Sequence, residues 1–292
     1  MPRLGKFTPA TIWRAFFVFS LGVACARGAS PPAQPPELAQ VGLPDAAETR
    51  EILEQFRHSG IAGQYFLQFE LHALPRRGAE TVFHGRMWGG RNADGALSRV
   101  ELTDSANRTH RLLVQNGEHA AVWRFAGARV EQLGVAALFE PVIPGVEITA
   151  FDLQMPFLYW PDAKVQRIAR VLGRPAHAIL FTPPAAFAAQ HPEIAAVRVY
   201  LDTQFNALVQ VDVIGAKNTV TKTTALVGLK KVGEQWIPKA LDVRNELTRD
   251  KTRFLVAGAA LNLDLAPAVF EPASLAEDVR APAADRIVPV EP

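Results

Sequence analysis

From Gln64 the chain alternates. Tyr65, Leu67, Phe69 and Leu71 fall on one side of an extended backbone, and Gln64, Gln68 and Glu70 on the other. This is the period-two pattern of a half-buried strand. Further extended segments are predicted at 80–88, 96–103, 108–115, 118–125 and 128–133. Turn signals separate them, the strongest being Asn116-Gly117, a dipeptide suited to a hairpin. After a break, strands are predicted again at 175–182, 195–203, 206–215, 218–231, 235–247 and 251–257. Pro238 marks an edge, a bulge or a strand start. A different period precedes all of this. In residues 45–58, Asp45 can cap a helix whose Ile52, Leu53 and Phe56 form an apolar stripe, and Gly60 stops it.

Strand after strand with short turns means an antiparallel meander, not alternating βαβ units. About a dozen strands are too many for a flat sheet, so this one must curl or close to hide its apolar face. The expected fold class is therefore α+β and β-dominated, with a large curled antiparallel sheet. Residues 134–161 interrupt the meander with Pro141, Pro144 and Pro156, and Phe151, Phe157, Tyr159 and Trp160 crowd its end. A short helix is expected around 149–158. This segment reads as a plug over the apolar face, or as a lining or gate of an apolar cavity.

The first residues read as an export signal. Arg3, Lys6 and Arg14 supply positive charge, an apolar run extends from Ala15 to Ala24, and Ala24-Cys25-Ala26 offers a cleavage site. Cleavage after Ala26 removes three positive charges, taking the formal net charge from +2 to −1, so a basic nucleic-acid surface is not expected. Cys25 is the only cysteine. It leaves with the signal unless it is the acylated residue of a lipoprotein, a reading that Gly22 weakens by standing where a lipobox prefers leucine. Residues 27–43 and 276–292 are rich in Pro and small residues and read as a flexible tether and a flexible tail. The expected globular domain is 44–275, in an exported, periplasmic protein, or in one anchored by lipid through Cys25.

Catalytic and metal motifs are missing. The seven histidines show no HxxxH or HExxH spacing, no serine sits in a G-x-S-x-G elbow, and there is no P-loop or G-x-G-x-x-G. Neither enzyme activity, a cofactor nor a metal is expected.

The order of segments resembles the LolA-like family of outer-membrane lipoprotein-sorting proteins, with the related LolB-type carriers. The resemblance rests on Gly63, Tyr65 and Phe69, on GRMWGG at 85–90, and on Arg99. It continues through LVQNG at 113–117, the D-L-x-M-P-F-L-Y-W-P run at 152–161 and VLGRP at 171–175. Val199, Leu201, Asp202 and Leu208 follow, then Trp236-Ile237-Pro238, LDVRN at 241–245, Thr252, Phe254, Val269-Phe270 and Leu275. It implies an incomplete, half β-barrel with short helices over its concave side, and an apolar cavity for lipoprotein acyl chains or another lipid. Its implied partners are an inner-membrane transporter and an outer-membrane acceptor, and the protein is expected to be a monomer. The residues expected to line the cavity and its lid are Tyr65, Leu67, Phe69, Trp88, Trp123, Leu153, Phe157, Leu158 and Trp160. Arg86 and Arg99 are candidates for the arginine that holds such a cavity closed. The alternatives are an envelope structural or interaction protein with a self-filled core, and an exported hydrolase.

Overall fold

A computed structural model describes residues 42–290. The signal segment, Cys25, residues 27–41 of the tether and the last two residues lie outside the described residues. The first helix, α1 (Ala46–His58), begins as its sequence dictates. The Asp45 carboxylate accepts from the backbone N–H groups of Ala47 and Glu48, and the Glu48 side chain reaches back to the Asp45 N–H. This capping box satisfies donors that a helix start leaves unpaired. Leu53 is buried, and Ile52 and Phe56 pack beside it.

Six strands follow: β1 (Gln64–Leu74), β2 (Thr81–Arg91), β3 (Ala96–Thr103), β4 (Thr109–Gln115), β5 (Ala121–Ala126) and β6 (Arg129–Gln132). Asn116-Gly117 does turn the chain, but within a connection longer than a two-residue hairpin. The plug segment then holds a 3-10 turn (Val135–Phe139), the helix α2 (Ala150–Gln154) and a second 3-10 turn (Pro156–Tyr159). Beyond it run β7 (Asp162–Val171), β8 (Arg174–Thr182), the helix α3 (Ala185–Gln190), β9 (Ala196–Asp202) and β10 (Leu208–Ile214). The long strands β11 (Val220–Val232), β12 (Gln235–Asn245) and β13 (Lys251–Leu263) complete the meander, and a short β14 (Val288–Pro289) ends it.

All neighbours pair antiparallel in one sheet, in the order β6-β5-β4-β3-β2-β1-β13-β12-β11-β10-β9-β8-β7, with β14 added on β13. Two meanders are thus joined along a β1–β13 seam. The two free edges, β6 and β7, are consecutive in sequence, so the plug segment connects one edge of the open side to the other. This is the β-dominated, unclosed half-barrel that the alternation and the resemblance imply.

Two elements escape the sequence reading. In β7 a register shift between Val165 and Arg167 breaks the two-residue period, and charged residues interrupt its apolar face, as suits an edge strand. The helix α3 is a single short element made mostly of alanine. Pro238 stands in the half of β12 that pairs with β11 alone, because β12 meets β13 only from Ala240 to Arg244.

The sheet buries both faces. On the concave face the main core takes Leu67, Phe69 and Leu71 of β1, Val100 and Leu102 of β3, Val197 and Val199 of β9, and Phe254 and Val256 of β13. On the convex face Phe66, Trp88 and Ala260 form a separate core, covered by Leu265, Val269, Phe270, Val279 and Ile287. The segment 276–290, read from the sequence as a flexible tail, is therefore packed in the structure, as one end of a strap over the convex face. Leu275 is buried beneath that strap, and Val290 reaches the main core beside the split between β12 and β13, its N–H donating to the Ala257 carbonyl at 2.9 Å. Irregularly spaced apolar residues among prolines and alanines hold it, which is why periodicity does not reveal it.

Candidate functional site

The concave face and its plug form the candidate site. Its floor explains the spacing of the aromatic and glycine motifs. Tyr65 stands opposite Gly89 and Phe69 opposite Gly85 in the β1–β2 register. A methyl group built on Gly89 would lie 2.0 Å from the Tyr65 ring, and one on Gly85 2.2 Å from the Phe69 ring. The rings lie flat across the neighbouring strand only because no side chain occupies those two positions. The four-residue step between the aromatics is mirrored by the four-residue step between the glycines. Phe69 also stacks on Phe254, at 4.6 Å between ring centres. Burial pushes the pKa of the Tyr65 hydroxyl up, against a hydrogen bond with Ser98 and the Arg91 charge.

The plug folds by local rules as well. Thr149 caps α2, and Asp152 returns a hydrogen bond to the Thr149 N–H at 2.8 Å. Met155 takes a left-handed conformation at φ 48° and Pro156 opens the next turn. The reversal turns Phe151, Phe157, Leu158 and Trp160 into the core. Their rings meet: Phe151 lies 5.6 Å from Phe157, Phe157 6.2 Å from Phe181, and Trp160 5.0 Å from Phe187 of α3. Phe139, next to the other free edge, sits 4.7 Å from Phe151.

Polar contacts are few and lie both at the margins and in the buried part of the plug, where the Gln154 side-chain amide donates to the Gln115 carbonyl at 3.5 Å. Lys222 of β11 pairs with Asp152. The Arg57 guanidinium donates to the Leu158 carbonyl at 3.0 Å and lies over the Tyr159 ring at 4.8 Å. The Glu147 N–H donates to the Thr252 hydroxyl at 2.8 Å. The one backbone bridge within the plug is internal, between Pro141 and Thr149. Among the described residues, then, the plug is held to the sheet through side chains and not through strand pairing.

Seven of the nine residues expected at the site come together on this face. Leu67, Phe69, Phe157, Leu158 and Trp160 belong to the main core, and Tyr65 and Leu153 pack against it. Trp88 and Trp123 do not. Trp88 is buried on the convex face, 5.2 Å from Phe66. Trp123 alternates with Val122, which is in the main core, and so faces the convex side. Arg86 and Arg99 also face away from the plug: both pair with the buried Glu101, and Arg99 donates to the carbonyls of Ser274 and Glu277. They fasten the strap and do not close the concave side. The polar contacts on the plug fall instead to Arg57 and Lys222, and part of its aromatic packing to Phe139, Phe151 and Phe187. Sequence reasoning missed these residues as site members. The aromatic density around Phe151 was visible, but the partners come from distant elements.

Beneath the plug, Ile143, Phe151 and Phe157 are buried almost completely. Two shallow hollows lie elsewhere. One of about 440 Å³ on the convex face is lined by Gln68, Glu70, His84, Arg86 and Glu101. Another, of about 640 Å³, lies between α1 and the β7–β8 hairpin, lined by Ile52, Gln55, Ile168 and His177.

Compared with solved structures, the architecture has clear counterparts. A domain named for outer membrane lipoprotein sorting, from Vibrio parahaemolyticus, superposes with a TM-score of 0.69 at 15% identity, over 80% of this chain and 100% of that one. The chain has a LolA-like fold. A LolA superfamily protein from Nitrosomonas europaea shares that fold at a TM-score of 0.59 and 13% identity, over 76% of this chain and 97% of that one. So does a DUF1329 family protein from Desulfovibrio piger, at 0.62 and 13%, over 76% and 94%. No protein-family model and no curated protein matches the sequence. At these identities the likeness defines the LolA-like fold alone.

Proposed function

We propose that this protein is an exported, periplasmic, non-enzymatic carrier that takes acyl chains against the concave face of its half-barrel, with residues 134–161 as a movable cover. The observation that carries this reading is the mode of attachment of that cover. It spans the open side between the two free edge strands, yet side chains and not backbone pairing hold it to the sheet. An apolar cover on an apolar face can be replaced by an alkyl chain with little change in buried area. Each buried methylene contributes roughly 0.8 kcal/mol, so part of one acyl chain offsets the loss of the few polar contacts. The cargo is the lipid of a lipoprotein or a similar amphiphile, delivered by an inner-membrane transporter and passed to an outer-membrane acceptor.

Native mass spectrometry of the protein purified from a bacterial periplasm tests this. Bound lipid is expected, as is displacement of a fluorescent fatty acid by added lipid. A protein that carries no lipid and takes up no fluorescent fatty acid would refute the proposal. The near-complete burial of Ile143, Phe151 and Phe157 favours a second reading, an envelope structural protein with a self-filled core. Trp160→Ala separates the two: the second reading requires a loss of several kcal/mol in stability with no effect on lipid binding. Intact-mass measurement of the mature chain decides whether Cys25 is removed or acylated, and hence whether the carrier is free or anchored.

A further inference from the structure

His191 follows α3 and stands where the two sides of the open half-barrel meet. Its ring lies 4.4 Å from Phe139, which comes just after the free edge β6, and 5.1 Å from Phe187 of α3, which follows β8. The residue is only 7% exposed. Its two ring nitrogens face different surroundings. Nδ1 lies 2.8 Å from a carboxylate oxygen of Glu193, whose side chain is 62% exposed. Nε2 is buried and has no hydrogen-bond partner. A carboxylate only accepts, so Nδ1 carries a proton, and in the neutral form of the ring Nε2 presents its lone pair. The ring thus spans from the solvent side to the aromatic layer, with a free acceptor at its inner end. An unpaired acceptor among phenylalanines is costly, and a leucine or phenylalanine would fill the space without that cost.

We propose that Nε2 of His191 is the polar contact of the carrier site, accepting a hydrogen bond from an N–H or O–H group at the junction between the head and the acyl chain of the cargo. The inference rests on the carrier reading and narrows its ligand class to amphiphiles with such a donor: an N-acyl amide or a glyceride hydroxyl, and not a fully esterified chain. The position fits this role. An alkyl chain inserted between Phe139 and Phe187 would enter the apolar interior, leaving its head group at the mouth beside the exposed Glu193.

The test uses the mature protein and an apolar fluorescent dye displaced by three oleoyl compounds: oleamide, monoolein and methyl oleate. Wild type should be emptied of dye by oleamide and monoolein at about tenfold lower concentration than by methyl oleate, the value of one buried hydrogen bond. His191→Phe should abolish that preference, so that oleamide and monoolein displace the dye no better than methyl oleate, with an unchanged or higher melting temperature. His191→Gln, which keeps an acceptor near the same place, should restore part of it. A preference that survives His191→Phe, or a wild type that treats the three compounds alike, overturns the proposal while leaving the carrier reading in place. Failure of wild type to bind the dye or any oleoyl compound defeats the carrier reading and this inference with it.

Discussion

The two faces of β1–β3 are covered by opposite means. On the concave side the plug meets mostly aromatic and aliphatic residues, with a few polar contacts through Gln154, Glu147, Arg57 and Lys222. On the convex side the strap is fastened at its centre by charge. Arg99, fully buried, donates to the Ser274 and Glu277 carbonyls at 2.9 and 2.6 Å, and Arg111 to those of Leu275 and Ala276 at 3.2 and 3.3 Å. Glu101, 2% exposed, supplies the counter-charge to Arg86, Arg99 and Arg111. Lifting the strap would break the hydrogen bonds of Arg99 and Arg111 to four strap carbonyls and uncover the core of Phe66, Trp88 and Ala260, a cost of several kcal/mol. Lifting the plug exposes apolar surface that another apolar surface can cover again. The proposed function needs only the concave cover to exchange, and the convex one can stay in place.

The sharpest way to break this contrast is Glu101→Ala. It removes the shared buried partner of Arg86, Arg99 and Arg111 and should cost about 3–5 kcal/mol in a denaturant melt, with faster amide exchange through 265–287. A strap that stays protected would erase the distinction between the faces. Next in size is Gly89→Ala. Its methyl group must displace the Tyr65 ring from the concave floor, at a cost of about 1–3 kcal/mol. Gly127→Ala, at a turn with nothing within 4 Å of the added carbon, tests a different cost, since its φ of +67° strains any other residue. A smaller effect is expected from Lys222→Met. Asp152 is mostly buried but keeps its bonds to the Thr149 N–H and hydroxyl at 2.8 Å, so the loss should be about 1–2 kcal/mol. Its signature is faster exchange across 146–160 with 265–287 unchanged.

The smallest effect is set by pH, on the convex face beyond the strap. Burial opposes ionisation of His72, but hydrogen bonds to Glu80 and Glu70 outweigh it and raise its pKa above 6.5. A raised pKa means that the folded state holds the proton more tightly. That contribution is present below the unfolded value and is lost as pH rises through the folded one. His177 slopes the other way, because burial lowers its pKa. The melting temperature of wild type minus that of His72→Gln should therefore fall as pH rises from 6 through the raised value.

The strands were legible because one face of each is apolar, and the plug because aromatics crowd it. Legibility failed where the phase of a strand depends on its partner. Gly85, Met87 and Gly89 share one side of β2, and Arg86 and Trp88 the other. Which side is concave follows from the pairing with Tyr65 and Phe69, and a large indole is no guide to it. The same holds for Trp123 beside Val122. The β7 strand was hidden by its bulge, and the strap by a composition that elsewhere means disorder. The segment that reads as an export signal and residues 27–41 of the expected tether lie outside the described residues, and the expectation of a carrier comes from the order of motifs and not from any one residue.

The seam between β1 and β13 also sets how the molecule must fold. It pairs Gln64 with Leu263 and Leu74 with Lys251, residues from opposite ends of the domain. Each meander can zip up by local hairpins, but loop closure on this scale is slow, and proteins dominated by such distant pairings fold in milliseconds to seconds. Until the seam forms, β1 and β13 are each an exposed strand edge able to pair with another chain. The kinetic bottleneck and the aggregation hazard therefore share one place, and a refolding chevron should slow for substitutions along β1 and β13 more than for any in the plug.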